Sequence, residues 1–383
     1  MLAITATLVG LCQKRTILER FEQIRRGLTA FGRRLPRSYQ GWIGQLARMG
    51  VAPLAEGLAL LRPQIVRRCG PNWTVGPWVP MAVDGSRFDL PHSSSHFRRY
   101  GTAGRAGSRP QMWVTVLTHL PTGLLWNWRQ GPGGASERSH LREMLDSLPP
   151  QALLVGDAGF FSYDLAGELC RRRQPFLLRV AANKRLLQDR RRSGDIEQVY
   201  AWPQVAQRDG RPPLRLRLVT VGSGARRVWL LTNVWDPHQL PRRLAGRMYQ
   251  LRWGVEVTYR HLKQTMDRRK LRCTRADWAA VELAGNLLGL ATLVLMDPRL
   301  GQSERLCVAE ALRVIDRALD GLAWQIVWAE FDARLAQARG DRYRRAGPKN
   351  DGTYPQKKTD SPPGPPHVMP LTDKQRRTMR AHL

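Results

Sequence analysis

The chain has 383 residues, of which 62 are Lys or Arg and 31 are Asp or Glu, so its formal net charge at pH 7 is +31. Such an excess of positive charge attracts nucleic acid whether or not a protein reads base sequence. The five cysteines are scattered and include no CxxC pair, which indicates neither a disulfide framework nor a zinc site. The most apolar stretch, around residues 279–296, contains Glu282 and Asn286, so we expect a buried core helix rather than a membrane span.

The amino-terminal part, residues 1–70, has apolar residues at helical spacing on a basic background, for example Ile17, Phe21, Ile24 and Leu28. This spacing predicts a small helical domain. Its basic surface either binds DNA or is an ordinary solvated face. The first apolar run precedes its charges, which is the wrong order for a signal peptide, so we expect a cytoplasmic protein.

The next part, residues 71–180, alternates strand and helix patterns. PMAVDG and QALLVGDAG read as buried strands that end at Asp84 and Asp157, and QMWVTVLTHL with GLLWNWRQ reads as a hairpin. This order predicts an α/β class protein with a mixed sheet flanked by helices. Ligands of such sheets gather at the carboxyl ends of strands. Alternatively, each aspartate caps the turn that follows it.

The second half begins with a polar, Arg-rich stretch and two alternating segments, PLRLRLVTV and RRVWLLTNV, which predict a β-rich insertion over residues 181–238. Residues 239–330 contain the segment YQLRWGVEVTYRHLK followed by apolar helical patterns. The tail, residues 331–383, is rich in Pro, Gly, Arg and Lys, and we expect it to be largely disordered.

One helical stripe of this segment has a single carboxylate, at Glu256, among basic residues. At about 100° per residue, the stripe comprises Tyr249, Arg252, Glu256, Arg260 and Lys263. A second, apolar stripe is typical of a helix packed on a core. The basic stripe is either an ordinary ladder of i,i+4 ion pairs or a site where Glu256 binds a metal ion and the cations hold phosphates.

Three carboxylates, those of Asp84, Asp157 and Glu256, are suited to a site for two Mg²⁺ ions, with Mn²⁺ as a substitute. Two such ions about 3.5–4 Å apart stabilise both oxygens of an in-line displacement at phosphorus. Arg252 and Lys263 would then hold phosphates, Arg by a planar fork and Lys as a point charge. Asp89 and Asp164 are nearby substitutes that the pattern does not favour.

The same residues carry a family resemblance. Tyr249, Arg252, Glu256 and Lys263 reproduce the Y-(2)-R-(3)-E-(6)-K signature, and the chain resembles the IS4-type DDE transposases of insertion sequences. Other blocks of that family occur in the same order: VDGSRFDLP, RPQMWVTVLTHLPTGLLWNW with a later Ser-Glu, GDAGFF and WLLTN. The resemblance extends from about residue 80 to about residue 300.

The resemblance implies an RNase H-like catalytic core, interrupted by the β insertion, with Asp84, Asp157 and Glu256 as catalytic metal ligands. Tyr249, Arg252 and Lys263, with Arg260 on the same stripe, would contact DNA phosphates. In members that cut the second strand through a hairpin, a tryptophan just before the LLT strand stacks on a flipped base, and Trp229 occupies that place.

The expected function is that of a cut-and-paste DNA transposase acting near the bacterial nucleoid. Its partners would be double-stranded DNA, as element ends and target, and a second copy of the chain in a synaptic homodimer, with no membrane. Two alternatives remain open: a catalytically inactive or decayed DNA-binding protein that keeps the transposase fold, and a stand-alone nuclease on the same fold.

Overall fold

The structure is a computed structural model. It describes residues 2–14, 16–30, 36–102, 108–189, 198–224, 227–297, 300, 306–320, 333, 335–337 and 364–381. The chain divides into two compact units. The first unit comprises Met1–Trp73, Asp84–Ser147 and Gly254–Arg344, and the second comprises Thr74–Val83, Leu148–Trp253 and Arg345–Leu383.

The described elements alternate between helices and strands after an all-helical beginning. The α-helices are α1 (Leu2–Leu11), α2 (Ile17–Ala30), α3 (Tyr39–Met49), α4 (Ala52–Cys69), α5 (Ser94–Tyr100), α6 (Glu137–Met144), α7 (Tyr163–Arg171), α8 (Gln204–Arg208), α9 (Arg242–Leu251), α10 (Trp253–Arg260), α11 (Ala276–Leu295), α12 (Val308–Asp320) and α13 (Asp373–Arg380). The strands are β1 (Val79–Asp89), β2 (Gln111–His119), β3 (Leu125–Pro132), β4 (Ala152–Gly156), β5 (Phe176–Arg179), β6 (Arg185–Gln188), β7 (Gln198–Ala201), β8 (Leu214–Val221), β9 (Val228–Thr232) and β10 (His367–Pro370). The mixed α/β class predicted from the sequence is confirmed.

In the first unit, the amino-terminal helices pack against α11. A Cβ atom placed on Gly10 would lie 2.6 Å from the Gly285 carbonyl oxygen, so the backbones of α1 and α11 touch where the helices cross. Phe21 and Trp42 are buried beside this crossing, at 0% and 1% exposure. The helices of residues 1–70 therefore share one unit with α11, whereas the sequence predicted a boundary at residue 70.

The first unit also contains the predicted hairpin. Strands β2 and β3 pair antiparallel from Met112↔Pro132 to Thr118↔Leu125, and β2 is the neighbour of β1. Helix α6 follows the hairpin, and its N-cap Ser136 accepts a hydrogen bond from the Ser139 N–H. A side-chain oxygen at this position satisfies one of the unpaired N–H groups of a helix start.

The second unit has three parallel strands at one end of its strand order and mostly antiparallel strands beyond them. The order is β10-β6-β7-β8-β9-β5-β4-β1. Strands β1, β4 and β5 are parallel, and β5 pairs antiparallel with β9. The strands of the predicted insertion, β6 to β9, thus extend the sheet from the edge of β5. Short runs of alternating apolar residues favour such strands.

The end of the tail is ordered, contrary to the sequence prediction. Strand β10 pairs in parallel with β6, beginning at His367↔Arg185. Leu371 and Met379 are buried in one cluster with aromatic residues of the insertion, and Thr372 and Gln375 form a reciprocal capping box at the start of α13. Burial of apolar side chains and a capped helix offset the ordering entropy of this segment. Residues 338–363 of the predicted tail lie outside the described residues.

Helix α11 is, among the described residues, the one helix long and apolar enough to cross a membrane. The share of its apolar window that is buried inside the protein is 78%. Asn286, one of the two polar residues seen in the sequence, is fully buried and accepts a hydrogen bond from Arg268 Nε at 3.1 Å. The expected core helix is therefore present.

Candidate active site

The two aspartates predicted at strand ends follow a pair of bonded parallel strands. The register of β1 with β4 ends at the pair Ala82↔Val155. Asp84 stands two residues after Ala82, and Asp157 stands two residues after Val155. Both side chains are half-buried. Each aspartate thus stands two residues past the last bonded pair of these strands. Asp157 directly follows the end of β4, whereas Asp84 lies within β1, which continues to Asp89, so the prediction that this strand ends at Asp84 is wrong.

Asp157 has the turn role that the sequence left open, whereas Asp84 lies in a strand and bonds the N–H of the next strand residue. Asp84 Oδ1 accepts a hydrogen bond from the Gly85 N–H at 2.9 Å, and Asp157 Oδ1 accepts one from the Gly159 N–H at 2.8 Å. A carboxylate has two oxygens and about four lone-pair directions. These backbone hydrogen bonds and a role in metal binding are therefore compatible in both residues.

The signature segment is not the single straight α-helix that the sequence predicted. Helix α9 ends at Leu251, Arg252 forms a turn, and α10 starts at Trp253. Residues 261–265 then form a π-helical turn, in which the Met266 N–H bonds to the His261 carbonyl at 2.8 Å. Each π turn shifts the following residues relative to a 3.6-residue period. The angles calculated from a uniform helix therefore do not hold beyond Arg260, although Leu262 and Met266 of the predicted apolar stripe are buried.

The break in the helix divides the predicted DNA-contacting residues between the two units. Tyr249 and Arg252 belong to the second unit, where the Arg252 guanidinium lies 5.5 Å from the centroid of the Tyr249 ring. Glu256, Arg260 and Lys263 belong to the first unit. Glycine is a poor helix former, and Gly254 follows the turn, which favours an interruption at this point.

Two side chains fix the helix with Glu256 to the strand with Asp84. The Tyr259 hydroxyl lies 2.9 Å from the Asp84 carbonyl oxygen and 3.0 Å from that of Val114. Lys263 Nζ donates to Ser86 Oγ at 2.7 Å and lies 5.0 Å from the centre of the Phe88 ring. Within the first unit, Glu256 and Asp84 are therefore held by elements that are bonded to each other.

The Tyr259 hydroxyl is a permanent donor in this arrangement. Burial raises its pKa well above the ordinary value of 10, and the negative charges of Asp84 and Glu137 raise the pKa further. The phenol therefore keeps its proton throughout the physiological pH range. Its position in the sequence, on the apolar stripe, predicted only a core residue.

A further carboxylate, that of Glu137, lies beside the residue that follows Asp84. A Cβ atom placed on Gly85 would lie 2.7 Å from Glu137 Oε1 and 2.7 Å from Trp113 Cζ2. Arg87 covers the same tryptophan, with its guanidinium 4.3 Å from the ring centroid. From the sequence, Ser136-Glu137 was noted only as part of a family block. The feature that could have indicated this contact is Gly85, because only a residue without a side chain leaves room for Glu137 next to Asp84.

Trp229 lies in β9, opposite Thr220 of β8, and its side chain is half-buried. Its carbonyl oxygen accepts a hydrogen bond from the Val180 N–H at 2.9 Å. The backbone position is therefore that of an ordinary sheet residue. The role of its ring in stacking on a base stays a prediction.

The donor chemistry of the site fits a divalent cation. Carboxylate oxygens are the hard ligands that Mg²⁺ and Mn²⁺ take. Asp84 within β1 and Asp157 after the end of β4 are both half-buried carboxylates. Among the residues that the structure describes, no group of three or more His, Cys, Asp or Glu side chains is already arranged as a metal site. The complete triad with Glu256 stays a prediction.

Comparison with known proteins gave relatives among transposases. The chain is 27% identical over 223 residues to the transposase InsG for insertion sequence element IS4 of Escherichia coli K12, over 54% of this chain and 50% of that protein. It is 26% identical over 101 residues to the transposase for insertion sequence element IS231F of Bacillus thuringiensis subsp. israelensis, over 26% of this chain and 21% of that protein. The chain thus spans half or less of the length of these curated relatives.

A solved structure is also similar in part. It is the piggyBac transposase synaptic complex with hairpin DNA, determined by cryo-electron microscopy. The match has 14% sequence identity and a TM-score of 0.41, and it covers 72% of this chain and 60% of that one.

The match that decides the family covers the core. Residues 79–291, more than half of the chain, match the model of the transposase DDE domain. This range starts at β1, includes Asp84, Asp157 and Glu256, and ends within α11. The proteins of this family use divalent metal ions. The chain belongs to the transposase DDE domain family.

Proposed function

We propose that the chain is the DNA transposase of an insertion sequence, which binds element ends and catalyses metal-dependent phosphodiester hydrolysis and strand transfer of the cut-and-paste type. The observation that carries the proposal is the placement of Asp84 and Asp157, each two residues past the bonded pair Ala82↔Val155, in a chain of the transposase DDE domain family. Such sheets bind ligands beyond the carboxyl ends of strands, and β4 ends at Gly156, the residue before Asp157.

Asp84, Asp157 and Glu256 are the proposed ligands of Mg²⁺, which Mn²⁺ would replace. When bound, divalent ions stabilise charge on the attacking and leaving oxygens of a phosphodiester. The chain's own contribution is to hold the carboxylates. Tyr259 bonds the backbone of Asp84 and lies one turn from Glu256 on α10, so the two carboxylates are supported by one hydrogen bond.

Tyr249, Arg252, Arg260 and Lys263 are the proposed contacts to the DNA backbone. Arg252 stacks on Tyr249, which restricts the orientation of its guanidinium. A planar guanidinium that is held in one orientation loses less entropy when it binds a phosphate. Lys263 Nζ donates a hydrogen bond to Ser86, which is two residues after Asp84. The positive charge of Lys263 is therefore held at a strand residue near a proposed metal ligand.

The proposed partners are double-stranded DNA, as element ends and as target, and a second copy of the chain that pairs the ends. The net charge of +31 supports an anionic partner. We expect the protein to act on chromosomal DNA in the bacterial cytoplasm. We also expect its catalytic core to have the RNase H-like fold. The amino-terminal helices α1 to α4 are the candidates for recognition of the element ends.

The test is cleavage and joining of a labelled duplex with the element's end, with and without Mg²⁺. The variants are Asp84→Asn, Asp157→Asn and Glu256→Gln, and the matched controls are Asp89→Asn and Asp164→Asn. Asp89 accepts a hydrogen bond from Gln111 at 2.8 Å, and Asp164 pairs with Arg211 at 2.6 Å, so both controls remove a carboxylate that has a structural partner. We expect the three variants to bind DNA without cutting it, while both controls cut.

The outcomes separate the alternatives. If the wild type binds but never cuts, with either metal, the chain is a DNA-binding protein on the transposase fold. If it cuts without joining ends, it is a nuclease. If Asp89→Asn or Asp164→Asn abolishes cleavage while Asp84→Asn or Asp157→Asn does not, the assignment of the carboxylates is wrong.

A further inference from the structure

A groove rich in arginine lies in the second unit, between the start of α9 and the ends of strands β8 and β9. Its volume is about 790 Å³. Among the described residues, the groove is lined by Thr220, Val221, Gly222, Arg227, Arg242, Arg243, Gly246, Arg247 and Gln250. We call it the α9 groove. It contains none of the residues assigned above to metal or DNA.

The groove exists because one face of α9 is covered by arginine and glycine rather than by apolar residues. Arg243, Arg247 and Gln250 are spaced i, i+4 and i+7, which places them on one face of the helix. Gly246 lies on the same side, and a Cβ atom placed there would be 3.5 Å from Val221 Cβ. The opposite face, with Ala245 and Met248, is buried.

The groove has four positive charges that have no carboxylate partner in the part of the chain that the structure describes. Arg227, Arg242, Arg243 and Arg247 are exposed, and none of them forms an ion pair with a described residue. No acidic residue lines the groove among the described residues or stands in the first turn of α9. In the same unit, burial lowers the pKa of Arg217, and the charge of Arg242 lowers that pKa further.

The position of two of these arginines in the helix is unfavourable for the protein by itself. Arg242 and Arg243 are the first two residues of α9. The amino terminus of a helix has a partial positive charge and unpaired N–H groups, so cations are disfavoured there and anions are favoured. Since the arginines and the helix terminus repel one another, a bound anion would relieve the repulsion.

We propose that the α9 groove binds the phosphate backbone of duplex DNA. This rests on the proposed function, because it assigns further DNA contacts to the same protein. The guanidinium group matches phosphate oxygens bidentately, and several such groups along one groove suit a polyanion with regularly spaced charges. The groove is also continuous in sequence with Tyr249, in the last turn of α9, and with Arg252, which follows the helix. It therefore extends the proposed phosphate contacts along the whole helix.

The experiment measures binding of the full chain to a fluorescein-labelled duplex by anisotropy, over a series of KCl concentrations. The groove variant is Arg243→Gln with Arg247→Gln. The matched control is Arg185→Gln with Arg208→Gln, which removes two exposed charges of the same unit outside the groove. A third protein, Arg243→Lys with Arg247→Lys, keeps both charges. Thermal unfolding of each protein checks that it is folded.

The expected result follows from counterion release. Loss of two phosphate contacts makes the negative slope of log K, the association constant, against log salt shallower by about 1.8. It also weakens binding at 0.1 M salt by roughly 10- to 100-fold. We expect the control pair to bind within about twofold of the wild type, and the lysine pair to keep the slope.

Two results would overturn the inference. The first is a salt slope and affinity of the groove variant that equal those of the control pair. The second is unchanged DNA binding with lost binding to anionic lipid vesicles, which would assign the groove to a membrane surface. If wild type cuts element-end DNA and the groove variant keeps its salt slope, only the groove assignment fails. If the wild type binds no DNA, both the groove assignment and the proposed function fail.

Discussion

The Tyr259 hydroxyl lies 2.9 Å from the carbonyl oxygen of Asp84, and this contact joins the helix of Glu256 to the strand of Asp84. The same hydroxyl lies 3.0 Å from the Val114 carbonyl, so it serves the adjacent strand as well. Because the ring is almost fully buried, at 6% exposure, loss of this hydroxyl removes a buried hydrogen bond that water cannot replace.

Replacing Tyr259 by Phe should therefore reduce both stability and catalysis. An unsatisfied buried group costs about 1–3 kcal/mol, so we expect the free energy of unfolding in urea to fall by that order. We also expect slower cleavage of element-end DNA, because the backbone of Asp84 is no longer held from α10.

The control for this change is Tyr100→Phe. The Tyr100 hydroxyl is also buried, and it donates to the Ala276 carbonyl at 3.0 Å, far along the chain from the proposed ligands. We expect a comparable loss of stability with cleavage retained at a temperature where both variants are folded. Equal cleavage rates for the two variants would show that the Tyr259 bond is structural only.

Replacing Gly85 by Ala should displace the carboxylate next to Asp84. The added Cβ would lie 2.7 Å from Glu137 Oε1 and 2.7 Å from the Trp113 ring, closer than real Cβ contacts come. Overpacking of this kind typically costs 1–3 kcal/mol, and here the neighbours that must shift lie beside a proposed metal ligand. We expect a lower free energy of unfolding and a raised Mg²⁺ requirement for cleavage.

Gly134→Ala is the matched control for Gly85→Ala. Gly134 lies in the same unit, and a Cβ atom placed there meets nothing within 4 Å. This variant should unfold and cleave like the wild type. If Gly85→Ala behaves in the same way, Glu137 has room to move and its position has no role in the site.

Sequence patterns predicted the strand that ends just before Asp157, because it is a short buried run followed by a turn. The buried run before Asp84 also predicted a strand, but β1 continues through Asp84 to Asp89, and the Asp-Gly pair gave no sign of this. The alternating hairpin β2–β3 was predictable for a similar reason, since its periodicity and its Pro-Thr-Gly turn are local. The buried side of the signature segment was predictable too, and Val255, Leu262 and Met266 are fully buried.

Other features depend on contacts between distant parts of the chain. The π turn after Arg260 adds one residue to a helical turn, and a uniform 3.6-residue period does not show it. Strand β10 forms because the edge of β6, far earlier in the chain, accepts it. The position of Glu137 beside Gly85 depends on how α6 packs on the sheet.

His140 should make stability depend on pH. Burial lowers its pKa below the ordinary value of 6.5. The negative charge of Glu143 raises this pKa in part, and the positive charge of Arg129 lowers it further. Its Nδ1 lies 3.0 Å from Thr115 Oγ1. Since the unfolded chain then takes up the proton more readily, stability is fully present above about pH 6.5 and falls as the pH drops through 6.5 towards the lower folded-state pKa.

The measurement for His140 is urea unfolding at pH 7.5 and pH 5.5 for the wild type and His140→Gln. All other titrating groups are common to both proteins, so the difference in their pH dependence reports His140. We expect the wild type to lose more stability on acidification than the variant does. An equal loss in both would mean that the folded protein protonates His140 as easily as the unfolded chain.

Replacing Trp229 by Ala should distinguish two routes of second-strand cleavage. If the ring stacks on a flipped base in a hairpin, its loss removes about 1–3 kcal/mol of stacking at that step, or a slowing of roughly 5- to 150-fold in hairpin formation. First-strand nicking should be unchanged, because no base is flipped there. Denaturing gels with the strand ends labelled separately measure both steps.

The control is Trp235→Ala, which removes a half-buried tryptophan of the same unit that stacks with Arg215 at 4.3 Å from its ring centroid. It should leave nicking and hairpin formation at the same ratio as in the wild type. If Trp229→Ala slows nicking and hairpin formation equally, the ring only packs in the sheet, since a loss of fold or of DNA affinity affects both steps alike. A selective loss of the hairpin step requires contact with the base, because that step alone exposes one.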